Sequence, residues 1–260
     1  MTGWEKAEAA VDDGDFASAI RFLNEFLKTN SESAEGWAKL AYCFNEISKP
    51  DEAIEASKRA TQLDSSCILA WAQLGWGHKK KQEYRDAIEP YERALELSTE
   101  NDWLLNELAF CNNQENRFSL GLSFAIRALE TNPGNNYAKG QQLYALNHMR
   151  RYDEARSIAS RFIDADSEDE MVWCQKGWAE KKLEDYEAAL DSFRRATELG
   201  PDDAWNWTQF SECCNKVGGN VAEAVAAAEK ALELDPTSSQ AQHELRIALS
   251  SKEPRPISWM

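Results

Sequence analysis

The sequence has no apolar run that approaches the roughly 20 residues a membrane-spanning helix needs. Residues 1–15 also lack the basic and then apolar plan of a secretory signal. Basic residues are scarce, with 29 Lys and Arg against 45 Asp and Glu, and the formal net charge of -16 repels phosphate backbones and anionic lipid. We therefore expect a cytoplasmic protein whose partners are neither nucleic acids nor membranes.

Residue patterns that form chemical sites are also few. The six cysteines contain no C-x-x-C spacing, and the three histidines, His78, His148 and His243, are scattered, so we predict no metal site. The sequence shows no glycine-rich phosphate loop and no recognisable pairing of a nucleophile with a base. The sequence therefore predicts a chain with no cofactor and no enzymatic activity.

What the sequence does contain is a period of 34 residues. It is clearest in residues 68–101, where places 4, 7, 8, 17, 20, 24 and 27, counted from Ile68, hold Trp71, Leu74, Gly75, Tyr84, Ala87, Tyr91 and Ala94. A small residue recurs at place 20 of seven successive segments, as Ala19, Ala53, Ala87, Gly121, Ala155, Ala189 and Ala224. The last of these steps is one residue longer than the others, and we assign the extra residue to the turn at Gly218-Gly219-Asn220.

This pattern resembles the tetratricopeptide repeat, a helix-turn-helix unit of 34 residues whose signature begins with W-x2-L-G. The resemblance implies an all-α fold, a right-handed superhelical solenoid in which each repeat packs on its neighbours. We expect one solenoid domain over residues 1–253, followed by a tail at 254–260. Its seven repeats and a capping helix are predicted over about 1–33, 34–67, 68–101, 102–135, 136–169, 170–203, 204–237 and 238–252.

A longer period of 102 residues, or three repeats, is also visible. Identical residues at that distance are Trp71 and Trp173, Trp76 and Trp178, Trp103 and Trp205, and Cys111 and Cys213. A duplication of three repeats accounts for these pairs. It predicts that similar surface chemistry occurs twice along the chain.

The first helices carry aromatic residues on the side opposite their core face, where a water-exposed helix would carry polar residues. At about 100° per residue, places 4, 7, 8 and 11 form the core face, and places 2, 5, 9 and 12 lie on the opposite side. Place 9 of this second face is aromatic in five successive repeats, and place 2 adds three more rings: Tyr42, Trp76, Phe110, Tyr144 and Trp178, then Trp103, Tyr137 and Trp205. The family resemblance implies that this face lines a concave groove where peptides bind. The alternative for any single ring is packing between neighbouring first helices.

Amide and ammonium side chains accompany the aromatic residues. Place 12 holds Asn45, Asn113, Asn147, Asn215, Lys79 and Lys181, and place 13 holds Lys80 and Lys182. Because an asparagine amide both donates and accepts hydrogen bonds, we predict that this row contacts the main chain of a bound peptide. The lysines would make the edge of the groove basic and favour a ligand that carries Asp, Glu or a terminal carboxylate.

Two functional hypotheses follow. The first is a non-catalytic scaffold that captures a segment of a partner protein in the aromatic groove, with Trp76, Trp178, Phe110, Trp103 and Tyr144 as anchors. The second is an assembly subunit or spacer that self-associates. In that case the groove receives the tail of another copy, through Ile257-Ser258-Trp259.

Overall fold

The computed structural model describes residues 2–98, 101–165, 168–218 and 220–251. The regular secondary structure of these residues is entirely α-helical, which confirms the predicted all-α fold of helix-turn-helix repeats. No described helix combines the length and the apolar character that a bilayer crossing needs. The helices are α1 (Gly3–Asp12), α2 (Phe16–Thr29), α3 (Ala34–Glu46), α4 (Pro50–Leu63), α5 (Ile68–Lys80), α6 (Tyr84–Leu97), α7 (Asp102–Gln114), α8 (Phe118–Thr131), α9 (Asn136–His148), α10 (Tyr152–Asp164), α11 (Glu170–Lys182), α12 (Tyr186–Leu199), α13 (Ala204–Val217), α14 (Val221–Leu234) and α15 (Ser239–Ser250).

Each predicted repeat contains two of these helices, and α15 lies in the predicted capping segment. The chain divides into two compact units, one up to Gln141 and one from Gln142 onward, so that the boundary falls within α9. A single solenoid domain over residues 1–253 stays a prediction. The predicted tail at 254–260, with Ile257, Ser258 and Trp259, lies outside the described residues, as does Gly219 of the last turn.

Each turn between the two helices of a repeat contains a residue with a positive φ. These residues recur at a spacing of 34, as Gly14, Ser48, Gln82, Asn116, Arg150, Glu184 and Gly218. In the third repeat, the Gln82 amide donates to the Lys79 carbonyl at 2.9 Å and the Glu83 amide to the His78 carbonyl at 3.0 Å. These two bonds satisfy carbonyls that the end of α5 would otherwise leave open.

Small residues let the paired helices approach closely. In the first unit, Tyr91 of α6 has no exposed surface and lies against Gly75 of α5, where an added Cβ would be 2.8 Å from the tyrosine ring. In the second unit, Phe193 of α12 is buried in the same way against Gly177 of α11, at 3.1 Å. A glycine at place 8 therefore makes room for the large ring at place 24.

In three repeats, the signature tryptophan at place 4 bonds the first helix to the loop before it. The indole N–H of Trp37 donates to the Ser31 carbonyl at 2.9 Å, and that of Trp71 to the Ser65 carbonyl at 2.9 Å. Trp207 in the second unit donates to the Pro201 carbonyl at 2.8 Å. Each bond satisfies an indole donor that is partly removed from water.

Candidate functional site

The first aromatic pocket lies in the first unit, between one side of α5 and the start of α7. It is open to solvent, has a volume of about 470 Å³, and its lining includes Leu69, Ala72, Gln73, Trp76, Asn101 and Trp103. The Trp76 and Trp103 rings meet edge to face with their centroids 6.1 Å apart. Trp103 rests in turn on the buried Tyr91, at 5.8 Å and 84° between ring planes. Core packing therefore fixes a ring that remains 37% exposed.

The second pocket lies in the second unit and is built by α9, α11 and α13. Its volume is about 400 Å³, and its lining includes Tyr144, Met171, Cys174, Gln175, Trp178 and Trp205. His148 and Asp203 complete the lining. The Trp178 and Trp205 centroids are 5.6 Å apart, and Trp205 rests on Phe193 at 5.9 Å and 73°. Trp205 and Met171 both stay exposed at the mouth of this pocket.

The other aromatic residues predicted for the groove lie outside these two pockets. Tyr42 is half-buried and its ring meets Phe16 edge to face at 5.9 Å, and Phe110 meets Tyr84 in the same way at 5.5 Å. Tyr137 is exposed and lies 6.3 Å from Phe110. None of the eight predicted rings is fully buried. Their part in binding stays a prediction.

The place 12 row forms a ladder of hydrogen bonds between successive repeats. Each side chain donates to a residue at place 6 of the next repeat or of α15, giving the pairs Asn45–Gln73, Lys79–Glu107, Asn113–Gln141, Asn147–Gln175, Lys181–Gln209 and Asn215–Glu244. The Nδ2 groups of Asn45, Asn113 and Asn147 also donate to the glutamine backbone carbonyls, at 3.0, 3.1 and 2.9 Å.

These three asparagines are at most 2% exposed. Their amide groups already donate to the next repeat, and their contact with a ligand main chain stays a prediction. Asn215 is partly buried and donates to the Glu244 carbonyl at 3.0 Å. The sequence pattern showed a polar row facing away from the core. It did not show that the next repeat covers that row.

The lysines divide into two groups. Lys79 donates to Glu107 at 2.6 Å and Lys181 to Glu212 at 2.7 Å, so both serve mainly to join repeats. Lys80 and Lys182 are exposed. Their ammonium groups lie over the Trp76 and Trp178 rings, 5.7 and 4.3 Å from the ring centroids. Among the described residues, neither Lys80 nor Lys182 has a carboxylate within the 4.0 Å of an ion pair.

All six cysteines are free thiols, and five of them are buried. Burial raises the pKa of the Cys111 thiol to about 12 and that of Cys43 to about 11. Burial likewise raises the pKa of Cys174, which forms the floor of the second pocket. The pocket floor is therefore a neutral thiol that acts as a small apolar group.

One group of potential metal ligands was not recognisable from the sequence. His78, Glu83 and Asp86 place one ligand atom each within 4.8 Å of one another. Glu83 already binds the Lys81 ammonium at 2.9 Å and the His78 Nδ1 atom at 2.7 Å. Because that cation neutralises the central carboxylate, we assign no metal to this group.

Comparison with known proteins supports the repeat assignment. The family model described as the tetratricopeptide repeat protein 21 C-terminal ARM domain matches residues 17–144, and a tetratricopeptide repeat model matches residues 172–203. No curated protein sequence matches the chain.

Solved structures give the same assignment for the fold. A tetratricopeptide repeat protein from Parabacteroides merdae is 15% identical, with a TM-score of 0.74 over 95% of this chain and 97% of that one. A chain of the APC/C hetero-tetramer Cut9–Hcn1 is 17% identical, with a TM-score of 0.72; the match covers 94% of this chain but only 48% of that one. YrrB, described as a tetratricopeptide repeat protein with an unusual peptide-binding site, is 20% identical with a TM-score of 0.51, over 86% of this chain and 97% of that one. The repeat spacing, the paired helices and these matches assign the tetratricopeptide repeat fold to this chain.

Proposed function

We propose that this protein is a non-catalytic scaffold that captures a segment of a partner protein through its two tryptophan pockets. The observation that carries the proposal is the exposure of large rings held rigid by the core, as in Trp103 on Tyr91 and Trp205 on Phe193. Rigid aromatic groups in a pocket bury much apolar area on binding and lose little conformational entropy. Apolar surface of this kind on a charged protein is typical of interaction sites.

The chemistry of the pockets favours a peptide over a nucleic acid or a small polar substrate. The walls are mostly apolar, and the unpaired cations nearest to the tryptophans are Lys80 and Lys182. A peptide with a large apolar side chain and a neighbouring carboxylate matches both features. The similarity to YrrB, whose description includes a peptide-binding site, agrees with this proposal.

A display selection with random peptides tests the proposal. The wild-type chain should enrich peptides that contain an aromatic or large aliphatic residue beside Asp or Glu. The double variant Trp76→Ala, Trp178→Ala should bind the enriched peptides at least about tenfold more weakly, since loss of an aromatic anchor commonly costs more than 1 kcal/mol. The matched control is Leu120→Ala with Leu249→Ala, which removes one exposed apolar side chain from each unit outside the pockets. The control should bind as the wild type does.

Three results would change the proposal. Unchanged binding by the tryptophan variant would place the peptide elsewhere. If that variant loses much thermal stability and the leucine control does not, the two tryptophans serve to pack the fold and not to bind a ligand. A wild-type dimer that becomes a monomer when residues 254–260 are deleted would favour self-association, with the tail of another copy in the groove.

A further inference from the structure

We infer that the chain has two equivalent sites for one short peptide motif, one site in each unit, so that it binds two copies of the motif. The motif is an aromatic or large aliphatic residue next to an acidic residue. This inference rests on the proposed function and adds the number of sites and the chemistry of their ligand.

The equivalence of the pockets is visible residue by residue. The walls correspond at a separation of 102 residues, as Leu69 and Met171, Ala72 and Cys174, Gln73 and Gln175, Trp76 and Trp178, and Trp103 and Trp205. The supporting rings, Tyr91 and Phe193, are separated by the same distance. Both pockets are therefore lined by a small residue and by a pair of contacting tryptophans, one of which rests on a buried ring.

A shift by a single repeat does not reproduce this arrangement. Next to the first pocket, Phe110 and Tyr137 take the places of the two tryptophans. Asn106, only 7% exposed, takes the place of Ala72. The set of two tryptophans and a small apolar residue is therefore not repeated in the next repeat. Because the pocket residues and the flanking lysine occur together twice, we infer that the same ligand group is bound twice.

The flanking lysines define the ligand charge. Lys80 and Lys182 each follow their tryptophan by one helical turn, and both lie over the ring without an acidic partner among the described residues. A carboxylate next to the residue that fills the pocket can pair with either ammonium group. Such an exposed pair changes affinity by about two- to fivefold.

The two pockets differ in their lining. Tyr144 and His148 line only the second pocket. At the position that caps the following helix, Asn101 lines the first pocket and Asp203 lines the second, and their Oδ1 atoms accept from the Leu104 and Asn206 amides. The extra negative charge of Asp203 opposes an acidic ligand. The first site should therefore bind an acidic motif more tightly than the second, and Asp203→Asn should reduce the difference while preserving the helix cap.

The test follows the indole N–H signals of Trp76, Trp103, Trp178 and Trp205 by NMR of the full-length chain, each assigned from a single Trp→Phe variant. The probe is acetyl-Phe-Asp-amide, with acetyl-Phe-Lys-amide as the charge control and acetyl-Ala-Asp-amide as the size control. Both tryptophan pairs should shift with the Phe-Asp probe, the first pair at lower concentration. Neither control probe should bind as well.

Lysine variants identify each site separately and leave the buried core unchanged. Lys80→Gln should weaken Phe-Asp binding about two- to fivefold at the first tryptophan pair alone, and Lys182→Gln should do so at the second pair alone. The affinity for acetyl-Phe-Lys-amide should rise with the same substitutions, because each removes a positive charge that repels this probe.

The outcomes separate this inference from the proposed function. If only one tryptophan pair responds, or if Phe-Lys binds as well as Phe-Asp, the two-site or acidic-motif inference is overturned while a peptide-binding pocket remains. If neither pair responds to any probe, both the inference and the proposed pockets fail. Indole signals that shift when the free protein is diluted would identify a second copy as the occupant and would also overturn the inference.

Discussion

Tyr91 and Phe193 occupy the same place in two repeats but differ by one hydroxyl group. The Tyr91 Oη atom is buried and has no hydrogen-bond partner among the described residues. Burial raises the pKa of this phenol well above its ordinary value, so the group stays neutral. Because an unpaired buried hydroxyl has lost its water, Tyr91→Phe should raise the free energy of unfolding by about 1 kcal/mol.

Denaturant unfolding of the two variants measures this effect. The reverse change, Phe193→Tyr, introduces an unpaired hydroxyl at the equivalent place and should lower stability by a similar amount. A loss of stability in Tyr91→Phe would show that the hydroxyl has a partner that the packing does not reveal.

The left-handed turn residues provide a second residue-scale prediction. Gln82 has φ of 61°, is exposed and lies in a turn whose conformation favours glycine. Gln82→Gly should therefore raise the melting temperature, with a gain in stability of up to about 1 kcal/mol. Gln82→Ala removes the same side chain but keeps a Cβ in the left-handed region, so it should give no gain. Equal effects of the two changes would exclude backbone strain as the cause.

At the level of helices, the sequence predicted the fold well because its signals are local. The place 8 glycine and the place 24 ring belong to one hairpin, so the repeat spacing locates both Gly75 and Tyr91 without reference to a neighbouring repeat. The role of Asn45 was not predictable in this way, because its burial depends on how the next repeat rotates over it. A helical wheel describes one helix and contains no information about the helix that covers it.

The ladder between repeats leads to an element-scale prediction. Asn147 of α9 donates to both the backbone carbonyl and the side chain of Gln175 in α11, each at 2.9 Å. Asn147→Ala removes these buried bonds and leaves the Gln175 acceptors without a hydrogen-bond donor. The free energy of unfolding should therefore fall by about 1–3 kcal/mol. Lys182→Ala, an exposed change beside the same pocket, should alter stability by less than about 0.5 kcal/mol. Comparable losses in both variants would contradict a specific role for the ladder.

The start of α11 carries a pH-sensitive contact with α13. Glu170 accepts a bond of 2.6 Å from the Asn206 amide, and its pKa is raised, first by burial and second by the negative charge of Asp203. A carboxyl whose pKa is higher in the folded state is destabilising once it ionises, so stability falls as pH rises above the unfolded value of 4.5 through the folded pKa. Glu170→Gln should therefore increase the melting temperature at pH 7 and leave it unchanged at pH 4. A gain that is equal at both pH values would point to packing instead of charge.

At the scale of the whole molecule, the fold limits the possible functions but does not select the partner. The repeats explain why apolar rings can stand on one face of the first helices. The same architecture serves unrelated tasks, so partner identity depends on a few side chains such as Trp76, Lys80 and Asp203. The period of 102 residues was visible in the sequence. The small residues Ala72 and Cys174 could be assigned to two pockets only from the structure.

The net charge of the molecule is negative, whereas the lysines beside its pockets are positive. This difference in sign should affect the association rate of a charged peptide. The net charge of -16 repels an acidic peptide at long range, while Lys80 and Lys182 attract it only near contact. The screening length falls from about 30 Å at 0.01 M salt to about 8 Å at 0.15 M, which removes the distant repulsion before the close attraction. The association rate of a display-selected acidic peptide should therefore rise, by roughly threefold, over that range.

The same peptide with Asn for Asp serves as the control in stopped-flow tryptophan fluorescence and should associate at a rate independent of salt. An association rate that falls as salt is added would mean that the lysines, and not the net charge, guide the encounter.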